Sequence, residues 1–177
     1  MTVLFPHSSS PELEPFAAPF GRMMLAFGRA HETVVALASL EFAQEADARQ
    51  YVAGTEELPK KMRRLFRDRL DAPVFAQVGR YVKQFSQVAA ERHHLIHGEW
   101  WFDPFDGGRL IVRRLHRGEL THALDVTTAR IEEWTAALEE VAEELGAVYD
   151  TVRRGREAGQ TIELLHGLHD RDGRPLG

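Results

Sequence analysis

Two stretches of the chain repeat their apolar positions in alternating steps of three and four residues. Phe75, Val78, Val82, Phe85, Ala89, Arg92 and Ile96 form the first seam, and Ile131, Trp134, Leu138, Val141, Leu145, Val148 and Val152 form the second. Steps that average 3.5 residues keep side chains on one stripe of an α-helix and scatter them over both faces of a strand, so each seam demands a helix packed against another helix. A third stretch, from about Phe20 to Tyr51, carries Met24, Phe27, Val34, Leu37 and Leu40 with no internal proline. Three long amphipathic segments in 177 residues predict one domain of all-α class, an up-and-down helical bundle.

Breaks and period changes divide the rest. Residues 1–19 hold four prolines and three serines and read as a flexible N-terminal arm. Gly54 to Pro59 ends the first helix and starts a short basic one over Lys60 to Leu70, and Pro73 opens the helix that runs to about His97. Gly98 reads as its C-cap. Between 99 and 124 the period changes: Glu99 to Phe102, the turn Asp106-Gly107-Gly108, the run Leu110-Ile111-Val112 and the break Arg117-Gly118 predict a small β-hairpin with a third strand. This insertion precedes the last long helix, which Asp125 or Thr127 can cap. The bundle is therefore expected over 20–153, with a C-terminal extension over 154–177.

The absence of cysteine excludes disulfides and thiolate metal sites and leans towards the cytoplasm. No apolar run approaches the roughly 18 residues of a membrane span, and the first residues lack the basic start of a secretory signal. Charge is unevenly spread. Residues 60–118 carry 13 basic and 6 acidic side chains, net +7, between flanks of net −5 and −7. Such a segment can bind an anion, or it can be neutralised internally by the acidic helix, which presents Glu132, Glu133, Glu139, Glu140, Glu143 and Glu144.

The first seam breaks its own rule at Arg92, where a hydrophobe is expected, so the guanidinium is either paired or pointed across an interface. His93, His94 and His97 come within the next two turns, flanked by Glu91 and Glu99. One option is metal: His93 and His97, four apart, share a face, and His116, His122, Glu91 or Glu99 could complete a zinc set, although HHxxH lacks the glutamate of HExxH. A second option needs no metal. Neutral imidazole takes a proton near pH 7 and a guanidinium grips phosphate oxygens, so His97 and Arg92 could drive attack of a ribose 2′-hydroxyl on phosphorus. Because the two are five residues, or about 140°, apart on a helix, a second copy of the chain is expected to complete the site. The third option is structural: Arg92 pairs with Glu41 or Glu91, and the histidines satisfy carbonyls at the helix end. His31 and Glu41, ten apart, fall on one side of the first helix. Trp100 and Trp101 either stack on a base or anchor the hairpin to the bundle.

The stretch Glu91-Arg92-His93-His94-Leu95-Ile96-His97-Gly98-Glu99-Trp100 resembles the RxxxxH signature of the HEPN superfamily, in which an arginine, a following polar residue and a histidine lie near the end of a bundle helix. The resemblance covers about 20–153 and implies an all-helical, HEPN-like homodimer. It further implies a metal-independent endoribonuclease with no cofactor, of the kind found in toxin–antitoxin, phage-defence and RNA-processing systems. Arg92 and His97 would be catalytic with His93 beside them, Glu41 would stand for an acidic residue of the first helix, and Glu91 and His94 would support the site. RNA and a cognate antitoxin or other protein are the expected partners. Some bundles of this kind bind or scaffold without cleaving, which leaves a non-catalytic protein as the alternative.

Overall fold

The computed structural model describes residues 11–54, 57–103, 109–116 and 119–157. A 3₁₀ turn, Pro11–Leu13, leads into α1 (Glu14–Ser39), α2 (Glu45–Val52), α3 (Leu58–Phe66) and α4 (Ala72–His97). The strands β1 (Glu99–Asp103), β2 (Arg109–His116) and β3 (Glu119–Val126) come next, and α5 (Thr128–Glu157) is last. Among the described residues the protein is thus a five-helix, mainly-α bundle with a three-stranded antiparallel sheet inserted before its final helix. No described helix is long and apolar enough to cross a membrane.

The seam of α5 is realised as read: Ile131, Leu138, Val141, Leu145, Val148 and Val152 are buried, and Trp134 packs at their margin. Thr127 caps the helix, its Oγ1 accepting the Arg130 N–H at 3.1 Å. At the start of α4, the Asp71 carboxylate accepts the Val74 N–H at 3.0 Å and Pro73 occupies the first turn, where a missing N–H costs nothing. Contacts between helices set direction. Arg22 meets Glu132 and Arg156 meets Leu40 and Glu41, so α1 and α5 run parallel; Gln77 meets Glu144 and Gln84 meets Ala137, so α4 runs against α5.

Several boundaries differ from expectation. The N-terminal arm was expected to extend to 19, but residues 11–19 are already helical, and Pro19 lies buried inside α1. The long first helix expected over 20–51 is two helices. Ser39 turns its hydroxyl back to the Ala36 carbonyl at 2.7 Å, and the Leu40 carbonyl takes its donor from Arg156 instead of the next turn. Arg49 then forks onto Glu32 at 2.8 and 2.6 Å, folding α2 back along α1. The basic helix begins at Leu58 and ends at Phe66. Its Lys61 is a cap: Nζ donates to the Tyr51 and Ala53 carbonyls at the end of α2, both at 2.9 Å. At the other end of the chain α5 continues past 153 to Glu157, and 158–177 lie outside the described residues.

The sheet is a meander of order β1-β2-β3. Trp100 pairs with Val112 and Val112 with Leu124, while Leu110 pairs with Val126, which places these residues on one face. Leu110, Val112, Leu124 and Val126 are buried and join the bundle core, so the hairpin gains the packing that an isolated ribbon lacks. Full burial of such side chains is worth about 1.5–3 kcal/mol each before entropy is counted.

Candidate active site

The last two turns of α4 show how the site is built. Its buried stripe runs through Val74, Val78, Tyr81, Phe85, Val88 and Leu95, in steps that pass through Arg92. Ile96, expected inward, is 38% exposed, and Leu95 takes the core position at 1%. Arg92 thus lies on the buried side of the helix, yet among the described residues no polar or charged residue is fully buried. The conflict is resolved by an aromatic wall. The Arg92 guanidinium lies over the Phe27 ring of α1, 4.5 Å from its centroid, and Phe27 stacks on fully buried Phe85 at 5.3 Å and 24°. A guanidinium on a ring face is worth about 1 kcal/mol at a half-exposed place.

Arg92 makes no ion pair among the described residues, and its Nε is buried there without a hydrogen-bond partner. Burial works against the charged form and lowers its pKa from the ordinary guanidinium value. A guanidinium starts so far above neutrality that it keeps its proton. The result is a charged, planar group whose face is fixed by Phe27 and whose hydrogen-bonding capacity is not spent among the described residues.

Glu41 does not support it. The carboxylate expected beside Arg92 binds Arg156 through one oxygen and Arg69 at 3.6 Å through the other, at the far end of α1. From Phe27 to the end of α1 is on the order of 20 Å along the helix axis. His31 is likewise separate from Glu41: it stacks on Phe27 at 6.2 Å, and its Nδ1 lies 3.6 Å from the Glu32 carboxylate.

His93 and His97 do come together. Their rings are 4.6 Å apart at 51°. The burial pattern of the helix leaves both His93 and His97 exposed, on its solvent-facing side. His94 is half-buried with its ring 6.3 Å from that of His93, and Glu91 is half-buried on the same turn. His97 leaves the axis about 140° from Arg92, so within the chain the arginine faces α1 while the histidine is turned away from it. Among the described residues no three His, Asp or Glu side chains are grouped as a metal ion requires. The side chains of His116 and His122 lie outside the described ones.

The sheet holds this end of α4 in place. The Gly98 N–H donates to the His94 carbonyl at 2.8 Å, and the Trp100 Nε1–H donates to the Leu95 carbonyl at 2.8 Å, satisfying acceptors that a helix end leaves open. Trp100 also meets Phe20 edge-to-face at 6.3 Å, anchoring the sheet to α1. Gly98 ends the helix in an extended conformation, φ −85° and ψ 162°, so no left-handed backbone requires it. Space does: a Cβ would lie 2.3 Å from Val112 Cγ1 and 2.5 Å from the His94 carbonyl oxygen. Trp101, on the other face of the sheet, carries the Arg113 guanidinium 4.6 Å above its ring.

Phe27 and Phe85 are the site residues that sequence reasoning missed. Both were legible as apolar helix positions, Phe85 on the first seam and Phe27 on the first helix, but which side chain such a residue touches on another helix is not encoded in spacing. Comparison with family models, with curated proteins and with solved structures finds no match for the chain.

Proposed function

We propose that the protein is a metal-independent endoribonuclease of HEPN type, in which Arg92 and His97 act across a homodimer groove. The observation that carries the reading is Arg92: a guanidinium fixed on an aromatic face with unspent donors, about one and a half turns before the paired histidine rings at the same helix end. His97 accepts the proton of a ribose 2′-hydroxyl as O2′ attacks the adjacent phosphorus. The P–O5′ bond breaks, the leaving oxygen takes a proton from His97 of the second copy, and the products are a 2′,3′-cyclic phosphate and a 5′-hydroxyl. Arg92 donates to the non-bridging oxygens, where negative charge grows most in the transition state. His93, against the His97 ring, orients it. A second copy supplies what the 140° separation denies one subunit, two pairs facing one phosphodiester.

RNA is the substrate because DNA lacks the attacking hydroxyl. A cytoplasmic setting and control by a cognate antitoxin or another protein partner accord with this chemistry. Incubation of the chain with mixed RNA in EDTA, beside His97→Ala, tests the proposal. Cleavage to cyclic-phosphate ends with a loss of about 10²-fold or more in the variant is the expected result. His97 is the last residue of α4 and no part of the buried core, so the variant keeps its fold. Intact RNA with the parent chain, or equal cleavage by the variant, overturns the proposal and leaves the non-catalytic binding protein.

A further inference from the structure

One face of α4 leads to the histidine pair without crossing an acidic or a large apolar side chain. Gly79, Lys83, Ser86, Ala90, His93 and His97 recur in steps of four, three, four, three and four, a single stripe about 27 Å long on the side away from α5. Lys83, Ala90 and His93 are exposed along it. At its start, α3 brings Arg63 over the stripe: the space beside Gly79, where a Cβ would stand, is bordered by Arg63 Nε at 3.7 Å. Arg67, just past the end of α3, is also exposed.

The charge layout decides between the two meanings of the +7 segment. Glu140 and Glu144 of α5 are met from α4 by uncharged donors, Gln84 at 3.0 Å, Gln77 at 2.8 Å and the Tyr81 hydroxyl at 3.4 Å. Arg63, Arg67 and Lys83 make no ion pair among the described residues, so the acidic helix does not neutralise them. A cationic strip of this kind suits a polyanion whose charges recur along a chain. It does not suit an acidic protein surface, because tight protein interfaces draw on buried aromatic or aliphatic anchors and the stripe offers none.

We propose that this face of α4, flanked at its start by Arg63 where it packs over Gly79 and floored by Ser86 and Ala90, is the track along which single-stranded RNA reaches His93 and His97. Arg63, Arg67 and Lys83 hold successive phosphodiesters, and the small floor residues let the sugar–phosphate chain lie close to the helix. The inference rests on the ribonuclease reading for what happens at the end of the track, but binding along it is measurable without turnover.

The test uses the full-length His97→Ala chain, titrated into a short fluorescein-labelled oligouridylate and followed by anisotropy over a series of salt concentrations. Adding Arg63→Gln and Lys83→Gln removes two phosphate contacts. At about 0.7 per contact for single strands, the slope of log K against log salt falls by about 1.4, with affinity down roughly tenfold or more at low salt. Thermal melting of both chains checks that the fold is kept. An unchanged slope, no binding by the His97→Ala chain, or equally tight binding of labelled polyglutamate overturns the track. If the slope falls while the parent chain leaves RNA intact, the track stands and the nuclease fails. If RNA is cut and the slope is unchanged, the nuclease stands and the track fails.

Discussion

At the end of the bundle where α1 stops and α5 finishes, Glu41 is 11% exposed and takes Arg156 on one oxygen and Arg69 on the other. At the opposite end, Arg92 lies on Phe27 and keeps its Nε without a partner among the described residues, while the His93 and His97 rings pair on another side of the helix. Both ends place an ionisable group in partial shelter. The first satisfies it with opposite charge from two other parts of the chain, and the second supports only its apolar face. Ion pairing closes a site; aromatic backing holds a charge in position and leaves it able to bind. The capping shows the same division. Lys61 ties off α2 near the closed end, whereas at the open end the carbonyls of α4 are met by Gly98 and Trp100.

The largest effect that would sharpen this comparison comes from Gly98→Ala. A methyl group 2.3 Å from buried Val112 and 2.5 Å from a backbone oxygen forces the sheet off the helix end, at about 3 kcal/mol. For a domain of this size that lowers Tm by about 10 °C, read by circular dichroism. An unchanged Tm would show that the open end does not depend on close approach of the sheet. Next is Glu41→Gln. Loss of a carboxylate that accepts from Arg156 and lies in ion-pair range of Arg69 is expected to cost about 2 kcal/mol in urea unfolding. RNA cleavage should be unaffected; a fall in cleavage with the fold intact would bring Glu41 into the site through a second copy and break the comparison.

The smallest effect is in acid. Hydrogen bonds from Arg49 hold the Glu32 carboxyl below its ordinary value, so its contribution to stability is fully present above the unfolded carboxylate pKa and is lost as pH falls through the lower folded one. Both partners are exposed, and the contribution is that of a screened surface pair. Arg49→Gln should therefore flatten the acid limb of Tm against pH slightly while leaving the neutral plateau almost unmoved. A neutral-pH loss as large as that of Glu41→Gln would mean that the clamp of α2 onto α1, not the Glu41 cluster, closes that end.

Legibility tracked the range of the interaction. The seam of α5, the Pro73 start of α4, the Thr127 cap and the three-strand meander depend on neighbours within a turn or a hairpin, and local pattern carries that information. The stop of α1 at Ser39 does not: Arg156, far away in sequence, captures the Leu40 carbonyl. Pro19 read as part of a loose arm because proline disfavours a helix interior, yet burial against the bundle outweighs that propensity. At the candidate site, the residue types and their order were legible, including the arginine that violates the seam. The support was not, since Phe27 and Gly98 act through contacts with other elements.

By itself, then, the sequence determined that α4 is a helix, that it ends near His97, and that Arg92 falls on its inward stripe. Helical periodicity and end-capping are short-range physics, and a 3.5-residue average leaves no other regular structure. Only the tertiary structure decided that Leu95 and not Ile96 completes the core, that Arg92 rests on an aromatic ring, and that Glu41 belongs to the other end. Those outcomes depend on which side chains separate helices bring within a few ångströms of one another. That is a property of packing, not of spacing along the chain.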